Sequence, residues 1–468
     1  MGPGRGQDLG LQVIERIGGS SLLARIARGS ALTTLGFIAS NAIRLAANLV
    51  LARLLFPEAF GLIALVTVLL VGLTMFSDIG ITPGIQRSKR GDEPDFLNTA
   101  WTLQIIRSVI LFAVACALAW PMAQFYDEPS LLQLVPAAAI SLLILAAQPT
   151  RMETAQRHML LGRLTLLELI SQILSVLVMV VLAWAWGSVW ALVVGNLVAA
   201  ALRVVLGWTL LPGIVNRLRL ERSAIRELIT FGKWIFLSTV AGFAMLHGDK
   251  LVLGRVLDSA GLGIYNIGYF LAGFPLLLGQ ALIGRMMIPI YRENPPAESA
   301  ANYNRLRRLR FGLSLLLLFF AAPLALGGFW LVGLLYDARY AASAAVLVVI
   351  SVALLPQLLV LSYDQAALAA GDSQSFFVLT AVRASLLMTL LLLLAPAHGV
   401  AGAALAIGLS SLLSYPLVVR LARKHGAWDG LHDLALGSAA LALGALALWL
   451  HGPALGALPG FGGMAPGN

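Results

Sequence analysis

Asn41, Arg44 and Asn48 are spaced i, i+3 and i+7, which puts an amide, a guanidinium and a second amide on one face of a helix. The surrounding run is apolar, and a lone charge at the centre of such a run costs about 2.5–3.5 kcal/mol on insertion scales. The stripe therefore faces water or protein, not lipid. Two readings stand: the wall of a polar cavity, or a structural arginine held by a buried carboxylate such as Glu168. Arg107 and Arg383 also lie deep in apolar runs, about ten residues in, beyond easy reach of the interface. If all three arginines face one cleft, they form a cationic chamber for phosphate, since a guanidinium offers paired donors. The alternative for each is an anchor to backbone carbonyls of a neighbouring helix. Arg203, nearer the end of its run, is expected to snorkel to the interface.

Asp249, Lys250 and Arg255 fall where another apolar run ends, with Arg53 at a comparable place earlier in the chain. They read either as an outer gate or as an interfacial ion pair with arginines on headgroups. Asp78, in Phe76-Ser77-Asp78-Ile79-Gly80, is a helix-end carboxylate able to pair with an arginine or take up a proton. Gly273 and Pro275 suggest a hinge, because proline frees a backbone carbonyl and kinks a helix; close packing through small residues is the plainer reading. Met286, Met287 and the tryptophans are expected to serve packing and interface belts. Paired-carboxylate loops, histidine clusters with metal spacing and Gly-rich phosphate loops are missing, which excludes ATP hydrolysis within this chain. With one cysteine, Cys116, neither a disulfide framework nor a cysteine zinc site can form.

The elements that must position these side chains are membrane spans. Of 468 residues, 59% are hydrophobic and 12% charged, about half the charged share of a soluble protein. Thirteen runs are long enough to cross a ~30 Å hydrocarbon layer. They lie near 31–55, 59–82, 98–120, 130–149, 164–186, 188–211, 225–249, 260–290, 311–335, 342–363, 374–395, 399–420 and 431–450. Of the 32 Lys and Arg, 24 fall on the side that holds the N-terminus, and four, Arg53, Lys250, Arg255 and Arg339, on the other. That bias places the N-terminus in the cytoplasm and explains the net charge of +10 without nucleic acid. Extramembrane loops stay below about 30 residues, too short for a folded catalytic domain.

Leu51 to Leu62 recurs 202 residues later as Leu253 to Ile264, with identities at Leu51/Leu253, Arg53/Arg255, Leu55/Leu257 and Gly61/Gly263. Both copies occupy the same kind of turn, six spans apart. An even number of spans gives both halves one orientation, so two six-helix lobes around a central cleft are expected, related by an axis along the membrane normal. The division reads as a cytoplasmic leader (1–30), an N-lobe (31–211), a basic linker (212–224), a C-lobe (225–420), an appended span (421–450) and an irregular tail (451–468).

The stretch Leu51 to Arg87 carries Arg-Leu-Leu-x-Pro-Glu-x-Phe-Gly, then Phe-Ser-Asp-x-Gly, then Ile-Gln-Arg, and Asp249-Lys250-Leu251-Val252-Leu253-Gly254-Arg255 looks like its second-half counterpart. In these motifs the chain resembles the oligosaccharide flippases, the Wzx-type polysaccharide biosynthesis proteins of the multidrug/oligosaccharidyl-lipid/polysaccharide (MOP) exporter superfamily. The resemblance implies an all-α, MATE-like polytopic protein of 12–14 spans in the bacterial inner membrane. It implies alternating access that moves a polyprenyl-diphosphate-linked oligosaccharide from the cytoplasmic to the periplasmic leaflet, for capsule, exopolysaccharide or O-antigen. The implied partners are that cargo, membrane lipids, a polysaccharide polymerase and a chain-length regulator, with no nucleic acid. No cofactor is expected, and the energy would come from a H⁺ or Na⁺ gradient or the membrane potential. An ion-coupled multidrug exporter, a membrane-embedded polymerase or ligase, and a lipid II flippase are the competing readings; a drug cation would want an acidic cavity, and the deep charges here are mainly basic.

A reporter fused after Arg90 should be cytoplasmic and one fused after Glu128 periplasmic; the reverse pattern would overturn the orientation.

Overall fold

Backbone amides and carbonyls in hydrocarbon must be satisfied within their own segment, so apolar runs of this length become helices. The computed structural model describes residues 22–78 and 80–456, with side chains undescribed at 22–34, 229–238 and 285, and those residues hold helices without a strand. Most of the expected leader and most of the expected tail lie outside the described residues. Where they are described both are helical, since the first helix starts at Leu22 and the last runs to Leu455.

In chain order the long helices are α1 (Leu22–Leu54), α2 (Pro57–Phe76), α4 (Pro94–Tyr126), α5 (Leu131–Ala146), α7 (Leu161–Trp186), α8 (Trp190–Leu210) and α9 (Arg222–Val256). Two short helices, α3 (Ile81–Arg87) and α6 (Arg151–Arg157), lie between them. The second half holds α10 (Ser259–Ala272), α11 (Phe274–Glu293), α12 (Ala300–Leu335), α13 (Ser343–Val360), the short α14 (Asp364–Ala369), α15 (Ser373–Lys424) and α16 (Gly430–Leu455).

Each of the thirteen expected spans falls on a helix. By length and apolarity 10 helices qualify among the described residues, or 11 if the bent pair α5–α6 is one span. The other two are α9, whose side chains are partly undescribed, and the second half of α15. That helix is 52 residues long and changes direction at Gly399, whose φ of 54° and ψ of −130° suit only glycine. A Cβ on Gly402 would collide with the Leu394 carbonyl, and residues eight apart would stand about 12 Å apart along a straight helix. The chain therefore doubles back at Gly399, the first residue of the second of the two spans read from the sequence. The single long run expected at 260–290 is instead two helices, α10 and α11, parted at Gly273.

The described chain forms two compact units. One comprises residues up to 54, 77–124 and 129–235; the other comprises 55–76, 125–128 and 236 onward. These units cut across the lobes read from chain order, because α2 belongs with the second.

In the first unit the basic linker is an extended strap. Arg217 N–H donates to Asn98 Oδ1 at 2.8 Å, Arg219 N–H to Thr102 Oγ1 at 2.9 Å, and Glu221 N–H to Thr99 Oγ1 at 3.1 Å. Side chains on one face of α4 thus satisfy alternate amides of the strap. Arg90 closes it with two bonds to Glu221 at 2.9 Å and one to Glu93 at 2.7 Å. Hydrogen bonds from Arg90 and then Ser223 hold the Glu221 carboxyl below the usual range. Arg157 donates to the carbonyls of Ile85, Gln86 and Ser88 and pairs with Asp92 at 3.0 Å, tying α6 to the end of α3.

In the second unit, α2 crosses α10 through glycines. A Cβ on Gly61 would collide with the Ser259 carbonyl and stand 3.1 Å from Gly263 N; a Cβ on Gly263 would collide with the Pro57 carbonyl and stand 3.1 Å from Gly61 N. Pro57 and Ser259 are themselves 202 residues apart. The two copies of the repeat therefore touch each other at equivalent positions, as an isologous contact about a two-fold axis requires. Beside the crossing, Tyr340 OH donates to the Leu55 carbonyl at 2.9 Å, and its ring meets Phe60 edge-on at 6.0 Å.

Because only a hydrogen fits at either glycine, Gly61→Leu and Gly263→Leu should each separate α2 from α10. A cysteine pair at Glu58 and Ala260, oxidisable in the parent, should lose cross-linking in either leucine variant. Unchanged cross-linking would show that the contact does not persist in the membrane.

Candidate functional site

Arg44 is exposed on α1, with Asn41 and Asn48 half-buried on the same face. Asn41 Nδ2 donates to the Phe37 carbonyl at 2.8 Å, one turn back. Glu168 is exposed, and no ion pair joins it to Arg44, so the structural-pair reading of Arg44 has no support here. Arg107, half-buried on α4, donates from Nε to Ser77 Oγ at 2.9 Å, and the Asp78 carboxylate lies within electrostatic reach. Asp78 Oδ1 accepts the Gly80 N–H at 2.8 Å, and Gly80 sits at φ 69°, where a side chain would be strained. The Phe-Ser-Asp-x-Gly corner is thus a turn that presents a hydroxyl and a carboxylate to Arg107.

Arg383 sits in the second unit and is not a free cation. Its Nη1 pairs with Asp364 Oδ2 at 2.5 Å, with 12% and 13% of the two side chains exposed. The single chamber expected of Arg44, Arg107 and Arg383 is therefore corrected. Arg107 and Arg383 each have a polar partner in their own unit, and of the three Arg44 alone is exposed, with no ion pair among the described residues. Charges in an apolar region lower their energy by local pairing wherever a carboxylate is within reach, and Asp364, at the start of α14, supplies one.

Asp249 and Lys250 form an ion pair at 3.2 Å. Helix α9 continues seven residues beyond Asp249, about two turns, so the pair is not at the helix end. Asp249 is 4% exposed. Its Oδ2 accepts from Tyr265 OH at 2.6 Å and from Lys250 Nζ at 3.2 Å. The Lys250 ammonium lies 4.1 Å from the centre of the Tyr269 ring, a cation–π contact. Arg53 and Arg255 are both exposed, each within the last turn of its helix. Gly273 is the residue between α10 and α11, and Pro275 stands in the first turn of α11, where its missing N–H costs nothing.

A cavity of about 530 Å³, its open mouth included, lies in the second unit among Asp249, Tyr269, Gln357, Arg383, Ser410 and Ser411. Among the described residues, no cluster of three or more His, Cys, Asp or Glu is placed to hold a metal.

One network was missed in the sequence. Arg310, counted there as a cytoplasmic charge, is 1% exposed. It lies 4.2 Å from the Tyr363 ring centre and donates to Tyr291 OH at 3.0 Å and Ser362 Oγ at 3.2 Å. Asp433 on α16 accepts from Tyr363 OH and Tyr415 OH, both at 2.7 Å, and from Trp428 Nε1 at 3.2 Å. His432, fully buried, bridges Asp433 at 2.9 Å and Ser314 at 3.0 Å. Helix α16, expected as an appendage, is therefore pinned to α12, α15 and the α13–α14 junction by buried polar groups. The His432-Asp433 dipeptide near a helix start was the one sequence signal, and it resembles an ordinary capping turn.

The family described as polysaccharide biosynthesis protein matches residues 50–345. The teichuronic acid biosynthesis protein TuaB of Bacillus subtilis is 24% identical over 231 residues, 47% of each chain. The lipopolysaccharide biosynthesis protein WzxC of Escherichia coli is 22% identical over 271 residues, 57% of this chain and 53% of that one. The chain thus spans about half the length of the curated relatives it matches. Among solved structures, the lipid II flippase MurJ in an inward closed conformation superposes with a TM-score of 0.65 at 11% identity, covering 91% of this chain and 99% of that one. An inward-facing MATE multidrug transporter of the MOP superfamily gives 0.60 at 12%, covering 82% and 95%. At such identity these two likenesses show the fold.

Asp364→Asn should leave the Arg383 charge unpaired and destabilise the purified protein by about 3–5 kcal/mol, read in thermal or denaturant unfolding. Adding Arg383→Met should restore most of the loss. A mild single variant with no recovery in the double would show the pair to be energetically idle.

Proposed function

The chain belongs to the polysaccharide biosynthesis protein family, and from that membership we propose that it flips a polyprenyl-diphosphate-linked oligosaccharide from the cytoplasmic to the periplasmic leaflet by alternating access. The observation that carries this reading is the reach of the family match. Residues 50–345 hold both copies of the repeat, the Phe-Ser-Asp-x-Gly corner and the buried Asp249–Lys250 pair.

The chemistry is that of a charged headgroup in an apolar medium. A diphosphate entering hydrocarbon unpaired would lose hydration worth tens of kcal/mol, so a carrier must replace that water with fixed donors. Arg44 supports this role. An exposed guanidinium within a span is too costly against lipid and so faces water, and the flanking amides of Asn41 and Asn48 extend the polar stripe. Arg107, already bonded to Ser77, contributes a second donor fork in the same unit. Arg383 enters as a neutral pair with Asp364 and belongs to the cavity of the second unit rather than to the anion's shell.

In this reading the prenyl tail stays in lipid while the sugars ride in a polar passage. The protein sits in the bacterial inner membrane with its N-terminus cytoplasmic, and Arg53 and Arg255 contact headgroups. Gly273 and Pro275 provide the hinge. A H⁺ or Na⁺ gradient, the membrane potential, or consumption of product on the far side by a polymerase with its chain-length regulator drives the cycle.

Deleting the gene should abolish surface polysaccharide and accumulate lipid-linked oligosaccharide in the cytoplasmic leaflet, read by accessibility to a membrane-impermeant periodate or lectin probe. Arg44→Ala, at normal membrane levels, should cut export at least about tenfold, the scale of one lost charged hydrogen bond, while Arg44→Lys keeps part of it. Normal polysaccharide with heightened drug sensitivity would instead mark a drug exporter. Export of single repeat units would mark a polymerase.

A further inference from the structure

The cavity of the second unit combines three features. Four charged groups in or beside it form two pairs, Asp249 with Lys250 and Asp364 with Arg383, so their charges cancel. Three of these groups keep a buried polar atom without a hydrogen-bond partner among the described residues: Asp249 Oδ1, Asp364 Oδ1 and Arg383 Nη2. Asp249 is itself 4% exposed and lines the cavity, as does Arg383. Buried polar atoms are rarely left unsatisfied, and orphans of both kinds around one space call for a group that donates and accepts together.

From this pattern we infer that the cavity is a subsite for a neutral polyhydroxyl group, a single sugar ring. A hydroxyl accepts from Arg383 Nη2 while it donates to a carboxylate oxygen, and neighbouring hydroxyls around a ring repeat that dual role toward Gln357, Ser410 and Ser411. Met245 and Leu387 offer apolar wall for the ring's C–H faces. An inorganic cation drawn to Asp249 meets Lys250 and Arg383, and an anion drawn to Arg383 meets Asp249 and Asp364. The balanced charges disfavour both. Water satisfies the same orphans, and saturable stabilisation by a sugar is what separates the two occupants. That the ring belongs to the transported cargo rests on the flippase reading; the chemistry of the subsite rests on the cavity.

The test uses the full chain in lipid nanodiscs, with thermal unfolding measured against the methyl glycosides of glucose, galactose and mannose, N-acetylglucosamine, sodium chloride against choline chloride, sodium phosphate, and betaine as an excluded-solute control. At least one sugar should raise the midpoint saturably by about 2 °C or more beyond betaine. The rise should vanish in the double variant Asp364→Asn/Arg383→Gln, which removes both charges together, and weaken in Ser411→Ala, which keeps every charge. Three results overturn the inference: no sugar exceeding betaine, which leaves a water-filled void; saturable stabilisation by sodium lost in Asp249→Asn, which makes it a cation site; or stabilisation by phosphate lost in the double variant, which makes it an anion site. The flippase reading is decided separately. Normal export in the deletion strain removes the cargo whatever the nanodiscs bind, and export that survives the double variant with full sugar stabilisation removes the subsite alone.

Discussion

A charge inside hydrocarbon must find an opposite charge, an aromatic face or water, and nearly every feature of this protein's interior answers that demand. Arg383 finds Asp364. Lys250 finds Asp249 on one side and the Tyr269 ring on the other. Arg310 finds no carboxylate in direct contact, yet the Tyr363 ring and two hydroxyl oxygens take its place. Arg107 finds the Ser77 hydroxyl. Arg44 remains, exposed on α1 with no ion pair among the described residues.

The same demand separates two kinds of polar chemistry. The first unit holds an exposed guanidinium flanked by two half-buried amides. The second holds two opposite-charge pairs in or beside a cavity. Pairing also explains why the second unit tolerates so many ionisable side chains at depth. Each pair presents little net field, and at Asp249 the Tyr265 hydroxyl adds a second donor to the oxygen that Lys250 already contacts.

The helices were legible in the sequence because continuous apolar length is a strong signal, and the backbone has no other way to satisfy itself in lipid. Even the direction change at Gly399 fell at the first residue of a span placed from hydropathy. The repeat was legible too, down to the register in which Gly61 and Gly263 oppose each other. The partners were harder to read. Asp364 and Arg383 are 19 residues apart across a loop, a separation that carries no periodic signature. Arg310 sits in a stretch with five other basic residues, and a tally of loop charges cannot tell a buried member from a solvated one. The end of α9 was not legible at Asp249, because hydropathy falls at the first charge whereas the hydrogen-bonded helix continues for two more turns. The role of Ser77 stood within a recognised motif, but its contact with Arg107 depends on how α4 returns alongside the corner.

The reversal at Gly399 spends a single residue where most neighbouring spans are joined by several. With no slack between them, the two arms of α15 cannot slide past each other independently. Any tilt of one arm is transmitted to the other as a rotation about one pair of backbone dihedrals, like an elbow. Because the Leu394 carbonyl already abuts Gly402, that elbow has almost no room to close further. The arm that carries Arg383 and the arm that carries Ser410 and Ser411 thus meet at one residue while both contribute wall to the same cavity.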